Sequence, residues 1–292
     1  MFQGCGNYCP NELGQSIRNP SEFPTVRLDV RSGKSPRFRV NLRIERIPPA
    51  DTLPLRVQLR EEMNRQIVHD SIHRREGWTH TYGIFLGEVA VGFASAAVSG
   101  PWTDRPTVIE FYLLPPCRSR AFEAFEQFLR VSGATHFEAQ TNEPLYPTLA
   151  LAFGRDLFTE KIIFENGPAT SLPSGGASLR AITSPEEVQA AMNRRQGGGE
   201  WILELEGQPI GKGGILFHYN RPYGDVYMEV DGSHRRRGFG SYLVQELRQA
   251  CFDFGAIPAA RCNADNVASR RTLQRAGFLP VATMLCGAIT PP

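Results

Sequence analysis

The chain has 292 residues, of which 41% are hydrophobic and 21% are charged, the balance of a globular protein with about two domains. The net charge of +2 excludes a surface that is basic throughout, so any function that needs positive charge must be local. No apolar run approaches the roughly 18 residues of a membrane-spanning helix, and we expect no secretory signal. Six scattered cysteines favour reduced thiols and a cytoplasmic location over a disulfide framework.

Two groups of possible metal ligands lack the other features of a metal site. Cys5 and Cys9 are four residues apart, but no second pair lies nearby in the sequence, which favours an irregular tail over a zinc site. His69 and His73 are one helical turn apart, but no Glu follows His69 as a metalloprotease motif requires. We therefore predict no metal site and expect the two histidines on a solvated helix face.

The first half of the chain has the patterns of alternating strands and helices. Residues 1–37 are rich in Gly, Pro, Ser and Arg without periodicity and are expected to form a flexible leader. A strand, a helix begun by Asp51 and continued through Ile67, and a hairpin about Gly87-Glu88 are predicted next. They are followed by a strand, a helix ended by Gly133, a strand, a short helical stretch and an apolar segment, at 107–114, 122–133, 136–140, 149–153 and 161–164.

The second half repeats this order of elements. Residues 171–177 carry turn residues without apolar periodicity, and we predict a linker there. After it come a strand, a short helix at 184–193, a hairpin about Gly207-Gln208, a strand, a loop, a long helix, a strand, a short helix and a strand. Asn266 is expected to cap the last short helix, which ends at Gly277. The repetition predicts two domains of one plan, at 38–170 and 178–292.

An apolar run, a basic loop with two glycines and a helix follow one another over residues 227–247. The free N–H groups and the positive dipole end at a helix N-terminus attract anions. Gly238 and Gly240 allow a close approach of the backbone, and three arginines add forked donors suited to phosphate oxygens. A dinucleotide fingerprint does not fit, because Leu243 stands where a third small residue is needed. The stretch predicts a pyrophosphate site, with a solvated loop as the alternative.

Residues 178–287 resemble the GNAT superfamily of N-acyltransferases, which bind acetyl-CoA. The family's pyrophosphate loop, Arg/Gln-Arg-x-Gly-x-Gly/Ala, stands here as Arg235-Arg236-Arg237-Gly238-Phe239-Gly240. Its second signature, an Asn and a small residue followed by Gly-Phe, stands as Asn266-Val267-Ala268-Ser269 and Gly277-Phe278. Either motif alone is weak, but both occur in the expected order. The resemblance implies an α/β (α+β) fold of two tandem GNAT-like domains, each with a mixed, mostly antiparallel central sheet flanked by helices.

By this resemblance the second half would bind acetyl-CoA, or another acyl-CoA, as co-substrate without a metal. The strand would pair with the pantetheine arm, the loop would hold the pyrophosphate, and Asn266 would hydrogen-bond the arm with Ser269 nearby. A plain helix cap is the alternative role for Asn266. The cofactor-binding residues so implied are Met228, Glu229, Val230, Arg235, Arg236, Arg237, Gly238, Phe239, Gly240, Ser241, Asn266 and Ser269.

The family's chemistry is direct attack of a neutral amine on the thioester, which needs a base and often an acid for the leaving thiolate. In several members the acid is a tyrosine seven positions after the signature Asn, where this chain has Leu273. Tyr242 or a water is the candidate replacement, or the thiolate leaves unassisted. Glu229 is the first candidate for the base, with an ion pair to an arginine as its alternative role. His234 is the second, with contact to phosphate as its alternative role.

The corresponding loop of the first half, 115–122, has no glycine and begins with two prolines that lack N–H donors. We therefore predict that the first half is a degenerate copy that does not bind CoA. We expect it to help wall the acceptor site, because the helix predicted at 184–193 is short. Stabilisation of the second half through a shared interface is the alternative.

These observations predict an acyl-CoA-dependent N-acetyltransferase that acts on a primary amine in a ternary complex. A non-catalytic acyl-CoA-binding sensor or assembly protein is the alternative, and Leu273 favours it. We expect a small-molecule or peptide amine as acceptor, a monomer or homodimer, and no membrane or nucleic-acid partner. Binding of nucleic acid through the three arginines is disfavoured, because no aromatic residues are interleaved with them and no broad basic face is predicted.

Overall fold

A single mixed sheet runs through the part of the chain described by the structure, which is residues 41–182 and 201–290 of a computed structural model. In the first half the elements follow the predicted order: β1 (Leu42–Arg46), α1 (Leu53–Met63), β2 (Thr79–Leu86), β3 (Val89–Ala97), β4 (Thr107–Leu113), α2 (Ala121–Ser132), β5 (His136–Gln140), α3 (Tyr146–Phe153) and β6 (Gly154–Asn166). In the second half they are β7 (Ala177–Ala181), β8 (Trp201–Leu205), β9 (Gln208–Leu216), β10 (Tyr223–Val230), α4 (Phe239–Asp253), β11 (Ile257–Asn263), α5 (Val267–Arg275) and β12 (Phe278–Ile289).

The two halves exchange their last strands. In the described residues the strand order is β1-β2-β3-β4-β5-β12-β6-β11-β10-β9-β8-β7. The last strand of the second half, β12, therefore pairs with β5 of the first, and the last strand of the first half, β6, pairs with β11 of the second. The exchanged strands also pair with each other in the centre of the sheet. The hydrogen-bonded sheet of each half is thus completed by the other.

Each half has its own helix packed on the sheet. The amphipathic helix α2 buries Phe125 and Phe128 in the first core, and Gly133, with φ +64°, ends it as predicted. The second core gathers Leu243 and Leu247 of α4 with Phe164, which β6 contributes from the first half. Both predicted hairpins and the mostly antiparallel character of the sheet are confirmed. The predicted domain boundaries stay a prediction.

The loop after α1 corrects two expectations. Asp51 does not cap α1, because it lies in a 3-10 turn that precedes the helix, and α1 ends at Met63, since Asn64 adopts a left-handed conformation with φ 45°. Ile67 therefore lies beyond the helix. The expected solvated helix face is also wrong: His69 lies in the loop with a side chain that is 12% exposed, and His73 is buried.

The same loop reaches across the centre of the sheet to the second half. The backbone N–H of Ile67 donates to Asn220 Oδ1 at 2.6 Å, and that of Val68 donates to Gln140 Oε1 at 3.1 Å. Gln66 Nε2 donates to the carbonyl oxygen of Phe164 on β6 at 2.9 Å. The bond to Asn220 holds a segment of the first half beside the end of β9, and the other two attach the same segment to β5 and β6. The leader at 1–37, the beginning of the strand predicted at 38–47, and the short helix at 184–193 lie outside the described residues.

Candidate active site

The two parallel strands at the centre of the second half separate along their length. β10 and β11 are paired from Tyr223 and Ile257 only as far as Asp225 and Ala259. Beyond that point β10 remains paired with β9 on its other side through Val230. The edge of β10 that faces β11 is therefore open, and its backbone groups are accessible to an extended ligand.

A cavity of about 470 Å³ occupies this separation. β10 contributes residues 225–229 to its wall, β9 contributes Lys212 and Leu216, and β11 contributes Arg261. The helices close it with Val244 of α4 and with Ser269 and Leu273 of α5. We call this the first cavity. It brings together the predicted residues Met228, Glu229 and Ser269, while Val230 is buried at the end of β10.

The basic loop lies between the end of β10 and α4, as the sequence predicts. Arg235 Nε donates to the carbonyl oxygen of Val230 at 2.9 Å, which fixes the loop to the strand. Arg236 has φ +61°, and the guanidinium of Arg237 lies 5.0 Å from the ring centroid of Phe239. All three arginines are exposed. The loop therefore presents positive charge to solvent at the start of the helix.

The start of α4 has the properties of an anion site. Gly238 occupies the position before the first helical residue with φ +93°, and no side chain caps the helix there. A Cβ added at Gly238 would meet no atom within 4 Å, so the space in front of the backbone is open. The first turn contains Phe239, Gly240 and Ser241, whose N–H groups have no acceptor in the preceding turn of the helix.

Asn266 is a helix cap. Its Oδ1 accepts a hydrogen bond from the backbone N–H of Ser269 at 3.0 Å and so begins α5, as predicted. Ser269 lines the first cavity, whereas Asn266 is exposed beside it. The further contact of Asn266 with a pantetheine arm stays a prediction.

The three residues predicted to take part in catalysis lie in different surroundings. Glu229 lines the first cavity, is about half exposed, and has Lys212 Nζ 3.5 Å from its carboxylate. His234 lies in the loop, where its Nδ1 is 3.0 Å from Ser233 Oγ. Tyr242 packs its ring against the second core, and burial, followed by Glu246, raises the pKa of its hydroxyl. Of the three, only Glu229 is among the described residues that line the first cavity.

A polar cluster at the inner end of the first cavity was missed by the sequence reasoning. Asp225 Oδ2 lies 3.1 Å from His218 Nε2 and 3.5 Å from Arg261 Nε, although the histidine pair does not have hydrogen-bond geometry. The ring of Tyr219 stands edge-on to His218 at 4.6 Å and under the guanidinium of Arg261 at 5.8 Å. The signal was a carboxylate, Asp225, next to apolar residues of β10, and a single guanidinium in β11.

Electrostatic interactions within this cluster are strong because Asp225 and Tyr219 are buried. Burial and then the neighbouring Asp225 raise the pKa of the Tyr219 hydroxyl well above its ordinary value, so the phenol stays protonated. Burial opposes the charge on Arg261, but Tyr219, Asp225 and more distant carboxylates outweigh it and raise the pKa of the guanidinium. The cluster therefore contains a permanent cation, a buried carboxylate and an imidazole.

A second cavity, of about 450 Å³, lies on the other side of this cluster. Arg261 lines both cavities, and His218 lines the second. The first half supplies much of the wall, from the loop after α1, the turn after β3, and β5; β6 and β11 supply the rest. In this wall, Trp102 Nε1 donates a hydrogen bond to Glu138 Oε1 at 2.8 Å.

The first half has no equivalent of the glycine loop. Residues Pro115–Arg120 form a 3-10 turn in which Arg118 Nε donates to the carbonyl oxygen of Leu113 at 3.1 Å. Below the turn, the buried side chain of Arg56 is paired with Glu110, with Nη2 to Oε2 at 2.8 Å. Protein groups thus satisfy the charges of Arg56 and Glu110. That the first half does not bind CoA stays a prediction.

Two searches of the described residues found nothing. No three His, Cys, Asp or Glu side chains in them are grouped so that they could hold a metal ion. None of the helices in them combines the length and the apolar character needed to cross a membrane.

Comparisons with known proteins agree with this geometry. Residues 174–278 match the model of the acetyltransferase (GNAT) family. A GNAT-family acetyltransferase from Colwellia psychrerythraea is similar in structure, with a TM-score of 0.66 and 17% identity over 85% of this chain and 100% of that one. A GCN5-related N-acetyltransferase from Sphaerobacter thermophilus gives a TM-score of 0.58 and 14% identity over 86% of this chain and 96% of that one. A search of curated proteins found no match. Residues 174–278 therefore match the GNAT acetyltransferase family model, and most of the chain shares the fold of two GNAT structures.

Proposed function

We propose that the chain is an acyl-CoA-dependent N-acyltransferase that moves an acetyl group from acetyl-CoA to a primary amine. The observation that carries the proposal is the continuity of the open edge of β10 with an uncapped, glycine-led helix start. An extended amide-containing arm can pair with a strand edge, and a pyrophosphate can bind at a helix N-terminus. Few ligands other than an acyl-CoA contain both an extended amide-containing arm and a pyrophosphate.

The residues that would hold the co-substrate fit its chemistry. Met228, Glu229 and Val230 would offer backbone groups to the arm, and the N–H groups of residues 237–241 would bind the pyrophosphate at the open space beside Gly238. Arg235 and Arg236 supply charge near the phosphates. The neutral wall formed by Val244 and Leu273 suits the apolar part of the arm and the thioester.

We place the amine acceptor in the second cavity, in a tandem arrangement in which the first half walls the acceptor site. The buried bond from Ile67 to Asn220 supports this division, because it holds the first half's loop beside the segment that carries His218. The shared residue Arg261 connects the two cavities. A thioester bound in the first cavity and an amine bound in the second would meet near the polar cluster.

The reaction requires that the amine nitrogen form a bond to the thioester carbonyl carbon while the C–S bond breaks. The amine loses one proton, and the leaving thiolate gains one from a donor or from water. We propose that His218 accepts the proton, because it lines the second cavity and its Nε2 lies 3.1 Å from Asp225 Oδ2. The cation of Arg261 disfavours a protonated amine nearby and so favours the neutral nucleophile.

A non-catalytic acyl-CoA sensor is the second candidate. Leu273 favours it, because this residue lines the first cavity with an aliphatic side chain that cannot protonate a thiolate. The presence of His218 and Asp225 between the two cavities favours the enzyme. The cytoplasmic location, the monomeric or homodimeric state and the lack of a nucleic-acid partner stay predictions from the sequence.

Release of free thiol from acetyl-CoA, measured with and without a panel of amines, tests the proposal. We expect at least one amine to raise the rate above the hydrolysis that occurs without acceptor. Tight binding of acetyl-CoA in calorimetry, with no amine raising thiol release, would favour the sensor.

A further inference from the structure

The second cavity has the size and walls of a small-molecule site. Its volume of about 450 Å³ lies within the usual range for such ligands. One wall is aromatic, with the rings of Trp78 and Trp102 edge-to-face at a centroid distance of 6.3 Å. The ring of His69 continues this wall, 5.8 Å from Trp102. The wall can therefore pack against an apolar or flat part of an acceptor.

The lining of this cavity carries more cationic than anionic side chains. Among its described lining residues are four cations, Arg75, Arg105, Lys161 and Arg261, and two carboxylates, Glu138 and Glu160. Both carboxylates already have partners: Lys161 Nζ lies 2.8 Å from Glu160, while Trp102 Nε1, His69 and Arg105 surround Glu138. Burial acts to raise the pKa of Glu138, but His69 above all, followed by Trp102 and Arg105, holds this pKa below its ordinary value. Neither carboxylate is left to bind a cationic ligand.

Arg75 is the cation without an anionic partner. No carboxylate of a described residue lies within ion-pair distance of it, whereas Arg261 has Asp225 and Arg105 has Glu138. Its guanidinium is held over the ring of Trp78, 4.6 Å from the centroid. Stacking of this kind fixes the plane of the guanidinium and leaves its edge N–H donors available to a carboxylate.

We propose that the acceptor is a small amine that also carries an anionic group, such as the carboxylate of an amino acid. Arg75 binds the anionic group, the tryptophans pack against the body of the molecule, and the amine lies toward Arg261 and His218. This inference rests on the proposed acyl transfer and names its acceptor class. A polyamine or another purely cationic amine is disfavoured, because it would add charge to a cavity whose carboxylates are already paired.

The test measures thiol release from acetyl-CoA by the full-length protein with the twenty common amino acids, each compared with its amide and its decarboxylated amine. Spermidine represents the cationic amines. We expect at least one amino acid to exceed its amide and its amine by on the order of ten-fold in kcat/KM, since these analogues leave Arg75 without its charge-assisted partner. Amides, decarboxylated amines or spermidine that react as well or better would overturn the inference but not the proposed function.

The variant Arg75→Gln locates the anionic subsite. It should reduce the preference for the free amino acid to about one- to three-fold through a higher KM for that acceptor, with the KM for acetyl-CoA unchanged. Arg74→Gln is the matched control, because Arg74 is exposed like Arg75 but is not among the described residues that line the cavity. A preference that survives in Arg75→Gln would refute the subsite. If no amine of any class raised thiol release, the proposed function itself would fail, and the acceptor class with it.

Discussion

The buried carboxylate of Asp225 lies 3.1 Å from the imidazole of His218, at the boundary between the two cavities. On its other side the same oxygen is 3.5 Å from Arg261. Arg261 lines both cavities and His218 lines the second. In the proposed function, the pair lies between the thioester in the first cavity and the acceptor in the second.

The first prediction distinguishes two candidate bases. His218→Gln should lower kcat by about 10²- to 10⁴-fold, because general-base catalysis contributes about this much. Glu229→Gln should lower kcat by no more than a few-fold, since Glu229 is half exposed and lies beside Lys212. Steady-state kinetics across pH 5 to 9 would measure both.

The opposite order of the two effects would assign the base to Glu229 instead, as the sequence suggested first. Circular dichroism of both variants controls for folding. Acetyl-CoA affinity should change little in His218→Gln, because His218 is not among the described residues that line the first cavity.

A second prediction concerns stability in acid. Burial, helped by the neighbouring Arg56, lowers the pKa of His73 from 6.5 to about 4. In the unfolded chain His73 becomes protonated as the pH falls through 6.5. In the folded chain it becomes protonated only near pH 4. Stability from this group is therefore complete above pH 6.5, is lost as the pH falls through this window, and changes no further below pH 4. The loss amounts to about 3 kcal/mol.

Urea unfolding at pH 7, 5.5 and 4.5 would measure this effect. In His73→Gln the side chain cannot titrate, so the free energy of unfolding should fall less between pH 7 and 4.5 than in the wild type. An equal fall in both proteins would show that His73 is not the group responsible.

The third prediction tests the strand exchange. Phe164 lies on β6 but is fully buried in the core of the second half, so Phe164→Ala should lower the free energy of unfolding by about 3–5 kcal/mol. Phe158→Ala, on the same strand but 51% exposed, should change it by less than about 0.5 kcal/mol. Denaturant titration with acetyl-CoA absent compares the two.

A fragment beginning at residue 171 extends this test. It lacks β6, so β11 loses its antiparallel neighbour and β12 loses both of its neighbours. We expect the fragment to be unfolded, since two central strands would present unpaired backbone groups. A folded fragment that binds acetyl-CoA would show that the second half completes its sheet without the first.

Much of the fold followed from local patterns in the sequence. The hairpins, α2 with its terminal Gly133, and the cap of α5 by Asn266 are each encoded within a few neighbouring residues. The glycines of the basic loop likewise marked the start of α4. Interactions between residues that are close in the sequence are enough to predict these elements.

What the sequence did not reveal depends on contacts between distant segments. Periodicity identifies β6 and β12 as strands but not which half they complete, because both choices bury the same apolar residues. His218 follows β9, while Asp225 and Arg261 sit in two different strands, so nothing local indicates that they meet. The spacing predicted a helix through Ile67, because the contact that sets its conformation is also distant in the sequence. Its backbone N–H donates to Asn220, which is 153 residues away.

Binding of acetyl-CoA by the Gly238 variants tests the central claim most directly. Gly238→Glu places a carboxylate where the loop is proposed to hold a pyrophosphate, and repulsion between like charges costs several kcal/mol. Gly255→Glu is the matched control: Gly255 also has a positive φ, +71°, and open space around its Cβ position, but it lies past the far end of α4. Calorimetry should show at least about a hundred-fold weaker binding for Gly238→Glu and wild-type affinity for Gly255→Glu. Equal, tight binding by both variants would contradict the assignment of the loop and the function built on it.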